Sequence, residues 1–180
     1  MINGRPMAQK ALFISLLILI AFAVPSCKQQ STLPQTPDQG GQDNTISVLC
    51  TPNSGGTGTE ITVTVSVTQN QNEIKAFGFE MTFDSAIFQL QKIEKGLLCG
   101  SWAAVDGNEV SSGNMIVGGY MGSGASVPPG SSGGLAQIKF KVIYSGSDNN
   151  FSRQFAIKNY SDNIAGMTPN QATATFTFRK

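Results

Sequence analysis

The chain has 180 residues, 40% of them hydrophobic and 13% charged, with 20 glycines and a formal net charge of +1, which leaves room for one ordinary globular domain plus processing segments. It contains no histidine, so His-dependent triads, His metal sites and the commonest proton-transfer side chain near neutral pH are excluded. Outside the N-terminal region no Lys/Arg cluster occurs, and the electrostatic footprint that nucleic acid requires is missing.

Taken from its start, residues 1–26 read as an export signal. Arg5 and Lys10 form a positive n-region, and Ala11 to Val24 is apolar apart from Ser15, shorter than the roughly 20 residues a membrane-spanning helix needs. A start at Met7 would leave the same signal. The run ends in Val24-Pro25-Ser26-Cys27, which resembles the lipobox of bacterial lipoproteins, with Pro25 a departure from the usual small or aliphatic residue. The resemblance implies diacylglycerol on Cys27, an exported protein anchored to a bacterial membrane, and, from Lys28 after the Cys, an outer-membrane or cell-surface location. Several buried acyl chains at roughly 0.8 kcal/mol per methylene hold firmly. Residues 27–44 are then the lipidated Cys and a linker. From Lys28 to Asn44 almost the only apolar side chain is Leu33, too little to offset the entropy of ordering.

Residues 45–180 carry the domain, and their signal is period-two alternation. Ile61, Val63, Val65 and Val67 share one side of a strand against Thr62, Thr64 and Ser66. Phe77, Phe79, Met81 and Phe83 repeat the pattern, as do Ala136, Ile138, Phe140 and Val142, and finally Ala174, Phe176 and Phe178. Shorter candidates are Ile46–Cys50, Phe88–Ile93, Ser101–Val105, Met115–Met121 and Phe155–Ile157. Turn clusters separate them: Asn53-Ser54-Gly55-Gly56, Asp106-Gly107-Asn108 and Ser145-Gly146-Ser147-Asp148. About nine short strands without an amphipathic helix predict an all-β sandwich in which each sheet hides its apolar face against the other.

The order of segments resembles the cohesin family. The segments are Gly58-Thr59-Glu60-Ile61-Thr62-Val63-Thr64-Val65; Ala76-Phe77-Gly78-Phe79-Glu80-Met81-Thr82-Phe83-Asp84; Phe88-Gln89-Leu90; Ile93-Glu94-Lys95-Gly96; and Gly133-Gly134-Leu135-Ala136-Gln137-Ile138-Lys139-Phe140-Lys141-Val142. A last Thr/Phe strand closes the series. Ser85-Ala86 departs from the family, which often has Pro after the Asp. The resemblance implies a nine-stranded jelly-roll sandwich of the cohesin and carbohydrate-binding-module type. Its flat outer sheet docks a dockerin, a small helical module on another protein that carries its own Ca²⁺. By position that sheet is expected to join the strands near Ala76–Phe83, Ser101–Val105, Met115–Met121 and Leu135–Val142, with Glu80, Thr82, Gln137 and Lys139 facing the partner. No Asp-x-Asn-x-Asp-Gly repeat occurs here, so the partner comes from another chain.

With Cys27 assigned to lipid, Cys50 and Cys99 are expected to form one disulfide, since export permits oxidation; two separate free thiols are the alternative. Such a bridge would close a loop of about 50 residues, at roughly 3 to 4 kcal/mol in the chain-entropy model. No catalytic residue, metal site or cofactor is expected. Glu80, Asp84, Glu94, Asp106 and Glu109 are not read as a glycosidase pair, and a hairpin turn accounts for Asp106-Gly107-Asn108-Glu109 better than a Ca²⁺ site does. The alternative function is a carbohydrate-binding surface module, with Trp102, Tyr120, Tyr144 and Tyr160 forming an aromatic platform for polysaccharide.

Overall fold

A computed structural model describes residues 44–180. The signal segment, Cys27 and the linker as far as residue 43 lie outside the described residues. Among the described residues eleven strands form two sheets. One sheet has the order β10-β1-β3-β8-β5, built from β1 (Thr45–Thr51), β3 (Glu60–Thr68), β5 (Phe88–Lys95), β8 (Gly133–Val142) and β10 (Thr168–Gln171). The other has the order β2-β11-β9-β4-β7-β6, built from β2 (Ser54–Gly55), β4 (Ala76–Thr82), β6 (Ala104–Ser111), β7 (Asn114–Tyr120), β9 (Phe151–Asp162) and β11 (Thr173–Phe178). The sandwich is as expected; the count of nine strands is corrected to eleven. The additions are small. β2 has two half-buried residues and β10 has four exposed ones, so neither carries a buried alternation that a sequence reading could detect.

Alternation places the core. From the five-stranded sheet, Ile46, Val48, Ile61, Val63, Val65, Ile138 and Phe140 face inward; from the six-stranded sheet, Phe77, Phe79, Met81, Met115, Val117, Phe155, Ile157 and Phe176 meet them. An aromatic knot ties the two layers: Phe155 lies 4.6 Å from Phe88 and 4.9 Å from Phe140, and Phe176 meets Phe88 edge-on at 5.6 Å. Each buried Phe contributes about 2 to 3 kcal/mol of transfer free energy, and the offset geometries add to it.

Two expected turns move. Asp106-Gly107-Asn108 lies inside β6, and the hairpin to β7 turns at Ser112-Gly113, where Gly113 has φ +72 and its N–H donates to Glu109 Oε1 at 2.7 Å. Gly107 fits a strand because a Cβ there would meet the Ile116 carbonyl at 2.3 Å. Ser54-Gly55 is likewise a short strand, parallel to β11. Asp84, after β4, accepts from the Ala86 N–H at 3.0 Å and pairs with Arg153 at 2.7 Å. Its carboxylate therefore shapes the turn into β5, and Ser85-Ala86 serve there without a proline.

The disulfide between Cys50 and Cys99 is not formed; both thiols are free and buried. Topology explains this. Cys50 lies on β1, Cys99 follows β5, and β3 and β8 run between those strands, which separates them by far more than the 4 to 7 Å Cα spacing of a bridge. Cys50 Sγ instead donates to the Pro52 carbonyl at 3.3 Å. Burial pushes the Cys50 thiol up to about 11 and the Cys99 thiol up to about 12.

Candidate docking face

The expected partner face does not exist as one surface. Glu80 and Thr82 lie on β4 of the six-stranded sheet, whereas Gln137 and Lys139 lie on β8 of the five-stranded sheet, at the opposite side of the sandwich. The four residues cannot touch one partner surface together. The reason is physical: alternation tells which side chains point outward but not which layer a strand joins.

The outer face of the six-stranded sheet can be built row by row, because cross-strand partners share a face. Glu80 sits opposite Ile116 on β7 and opposite Lys158 on β9, and Ile116 sits opposite Asn108 on β6. The next row runs Asp106, Gly118, Gly78, Ser161, and the third runs Ala104, Tyr120, Ala76. Thr82 lies between Asn114 and Ala156. Ile116 is 47% and Tyr120 57% exposed, so two large apolar side chains stand on a floor of glycine and alanine. Around them Glu80 pairs loosely with Lys158 at 3.6 Å.

These residues were missed for a specific reason. In Met115-Ile116-Val117-Gly118-Gly119-Tyr120 both phases of the alternation hold apolar residues, and only Met115, Val117 and Gly119 point inward. Gly119 is required there, since a Cβ would strike the Phe77 ring at 2.7 Å. The signal that could have found the face is that double apolar phase: an outward Ile and Tyr have no core to enter.

The opposite face, on the five-stranded sheet, has another character. Thr62, Thr64 and Ser66 on β3 lie beside Gln137 and Lys139 on β8, and Glu94 bridges Lys139 at 2.8 Å and Lys92 at 2.5 Å. Lys139 first, then Lys92, hold the Glu94 carboxyl below its usual range. Leu49, on β1 opposite Thr64, is a large exposed apolar residue on this face.

The aromatic platform is not assembled. Trp102 is 1% exposed and donates its indole N–H to the Ala125 carbonyl at 2.9 Å. Tyr144 packs edge-on against Phe151 and Phe178 at 5.0 and 5.2 Å, and Tyr160 is half-buried, its hydroxyl donating to the Ile157 carbonyl. Of the four, Tyr120 alone stands open. Among the described residues no group of three or more Cys, Asp or Glu converges on a metal position.

A two-layer β-sandwich with one broad, partly apolar outer sheet has the architecture of a surface-docking module. The chain matches the Cohesin domain family over residues 46–176, and it belongs to that family. Solved structures share the fold. They include the third cohesin of ScaC from Acetivibrio cellulolyticus, solved in complex with the ScaB dockerin (17% identity, TM-score 0.61, covering 75% of this chain and 99% of that one). The OlpA cohesin of Clostridium thermocellum, in a type I cohesin–dockerin complex, matches at 17% identity and TM-score 0.59, covering 75% and 99%. A non-cellulosomal cohesin of the archaeon Archaeoglobus fulgidus matches at 14% identity and TM-score 0.55, covering 76% and 92%. A comparison with curated proteins finds no match.

Proposed function

We propose that this domain is a non-catalytic receptor that docks a dockerin-type helical module of another protein on the outer face of its six-stranded sheet. Ile116 and Tyr120, exposed on an otherwise flat and small-residue floor, carry the reading. A flat sheet with a modest apolar centre and a polar rim of Glu80, Thr82, Asn108, Asn114 and Lys158 suits a helix pair laid across it. Family membership supports the same partner class. Calcium belongs to the partner, so the test is capture of a purified dockerin-type module by the chain from Lys28 onward, in calcium and then in chelator. Binding that calcium sustains and Ile116→Asp abolishes is the expected result; binding unchanged by Ile116→Asp would move the site elsewhere.

Upstream, Val24-Pro25-Ser26-Cys27 supports export and lipid attachment at Cys27, with residues 28–44 as a tether that holds the receptor at a membrane surface. Labelled palmitate should enter the expressed protein and be lost in Cys27→Ser; incorporation that survives this change would refute the anchor.

A further inference from the structure

On the outer face of the five-stranded sheet, away from the proposed docking surface, a groove of about 460 Å³ crosses β8. One bank is Glu60 and Thr62 of β3, the other Gln91 and Lys92 of β5, and the floor is β8 at Lys139 and Phe140. Phe140 turns its ring into the core, so it offers the groove only main chain.

Two features of β5 account for a groove on an otherwise flat polar sheet. The register slips between Leu90 and Lys92: Leu90 faces Phe140, Lys92 faces Lys139, and Gln91 is left without a partner on β8. This β-bulge turns Gln91 and Lys92 outward in succession, both exposed, where regular alternation would bury one of them, and it raises the bank beside β8. Lys92 and Lys139 also stand directly opposite each other, a like-charge pair that is unfavourable unless something lies against both. Glu94, one row along the sheet, does so, at 2.5 Å from Lys92 Nζ and 2.8 Å from Lys139 Nζ. It draws both ammonium groups towards the Thr64–Gln137 row and away from Glu60. The space between the rows is thereby cleared, and two methylene stems line its edge.

The groove is chemically mixed. Lys92 and Lys139 are cancelled in charge by Glu60 and Glu94, so neither an anion nor a cation gains much from net attraction. Glu60 has no cation within ion-pair distance among the described residues. Gln91 Nε2 leans on Gln89 Oε1 at 3.2 Å, which leaves the Gln91 carbonyl oxygen for a donor, and Thr62 adds a hydroxyl. Acceptors and donors side by side match groups that are both at once, as sugar hydroxyls are, and lysine stems suit the C–H face of a sugar ring.

We infer that this groove binds a neutral, hydroxyl-rich glycan, with Glu60 and Gln91 bonding its hydroxyls and the Lys92 and Lys139 stems lying against its ring. Glu94 is a positioning residue that holds the groove open. The inference does not rest on the docking reading: the groove is on the opposite face, so a glycan and a docked partner occupy the domain together. An open groove without an aromatic platform holds its ligand weakly, with Kd on the order of millimolar.

The test follows the backbone amide resonances of the isotope-labelled chain from Lys28 onward during titration with cellohexaose and with mannohexaose, using trigalacturonate as an anionic probe and glycerol as a small polyol. Saturable shifts with a hexasaccharide, confined to the segments around Glu60–Thr62, Gln91–Lys92 and Lys139–Phe140, are the expected result. Glu60→Gln and Gln91→Ala should each weaken binding by about tenfold. Glu94→Gln should weaken it by about threefold to tenfold without touching the sugar, and adding Lys92→Met, which removes one of the two repelling head groups, should restore it. In all these variants the thermal midpoint should stay unchanged. Absence of saturable shifts with both hexasaccharides would overturn the inference, as would shifts centred on Ile116 and Tyr120 or affinities that all the variants leave unchanged. Tighter saturation by trigalacturonate would make the lysine pair an anion site, and equal shifts from glycerol would mark the contact as unspecific; each of these also overturns the inference.

Discussion

The two outer faces of this sandwich are made by the same device, strands that alternate inward and outward, yet they end with opposite surface chemistry. On the five-stranded sheet the outward positions include Thr62, Thr64, Ser66, Gln137 and Lys139, joined by a Lys92–Glu94–Lys139 ion cluster, with Leu49 a single exposed apolar side chain opposite Thr64. On the six-stranded sheet the outward positions include Ile116 and Tyr120 over glycine, and water leaves their apolar surface uncompensated. Covering the six-stranded face would therefore remove more apolar surface from water than covering the polar rows of the other sheet.

That contrast can be broken at its base. Phe140 packs between the layers against Phe83, Phe88 and Phe155, so Phe140→Ala should cost about 3 to 5 kcal/mol of stability, seen as a lowered denaturant midpoint. Both faces should lose their form together. Next, Ile116→Asp and Tyr120→Ala should each weaken partner binding by about 2 to 4 kcal/mol, roughly 30- to 1000-fold in Kd, with the thermal midpoint nearly unchanged because neither side chain enters the core. A coincident collapse of melting temperature would show that they are structural.

A smaller effect concerns the buried thiols. Their pKa values are raised from an ordinary 9.0 to about 11 and about 12, so between those limits the native state keeps protons that the unfolded chain gives up. Stability is then fully present below about pH 9 and declines as pH rises through 11, and chemical denaturation at pH 8 and pH 10.5 measures the difference. In the same samples a thiol reagent should label Cys50 and Cys99 only after unfolding; one bond between them, found by mass spectrometry of the non-reduced protein, would contradict the strand order. The smallest effect is expected on the polar face: Lys139→Ala should leave partner affinity within about twofold, since an exposed pair is screened and contributes little.

Much of the fold was legible. β3, β4, β8 and β11 follow from Val, Phe and Ile at every second position, and the long turn at Ser145–Asp148 follows from its composition. β6 was not, because Asp106-Gly107-Asn108 has turn chemistry and only its cross-strand partners on β7 make it a strand. β9 extends well beyond Phe155–Ile157 because the register shift at Gly78/Glu80, with Asn159 at φ +51, interrupts its alternation. The outward orientation of Glu80, Thr82, Gln137 and Lys139 was legible, but their division between two opposite faces was not, since layer membership is decided by long-range pairing that the alternation of β8 does not encode.

The strand pair β10 and β11 has a further consequence. β10 adds to the edge of one sheet beside β1, and after Ala172, whose carbonyl accepts from the Ile157 N–H at 2.9 Å, β11 runs against β9 in the other. Within a single residue the chain leaves one layer and enters its neighbour, so this segment works as a rivet. Cutting the backbone there would unfasten an edge of each layer at once and uncover Phe88 from beneath Phe176, so proteolytic nicking at Gln171–Thr173 and loss of the whole sandwich should be a single event.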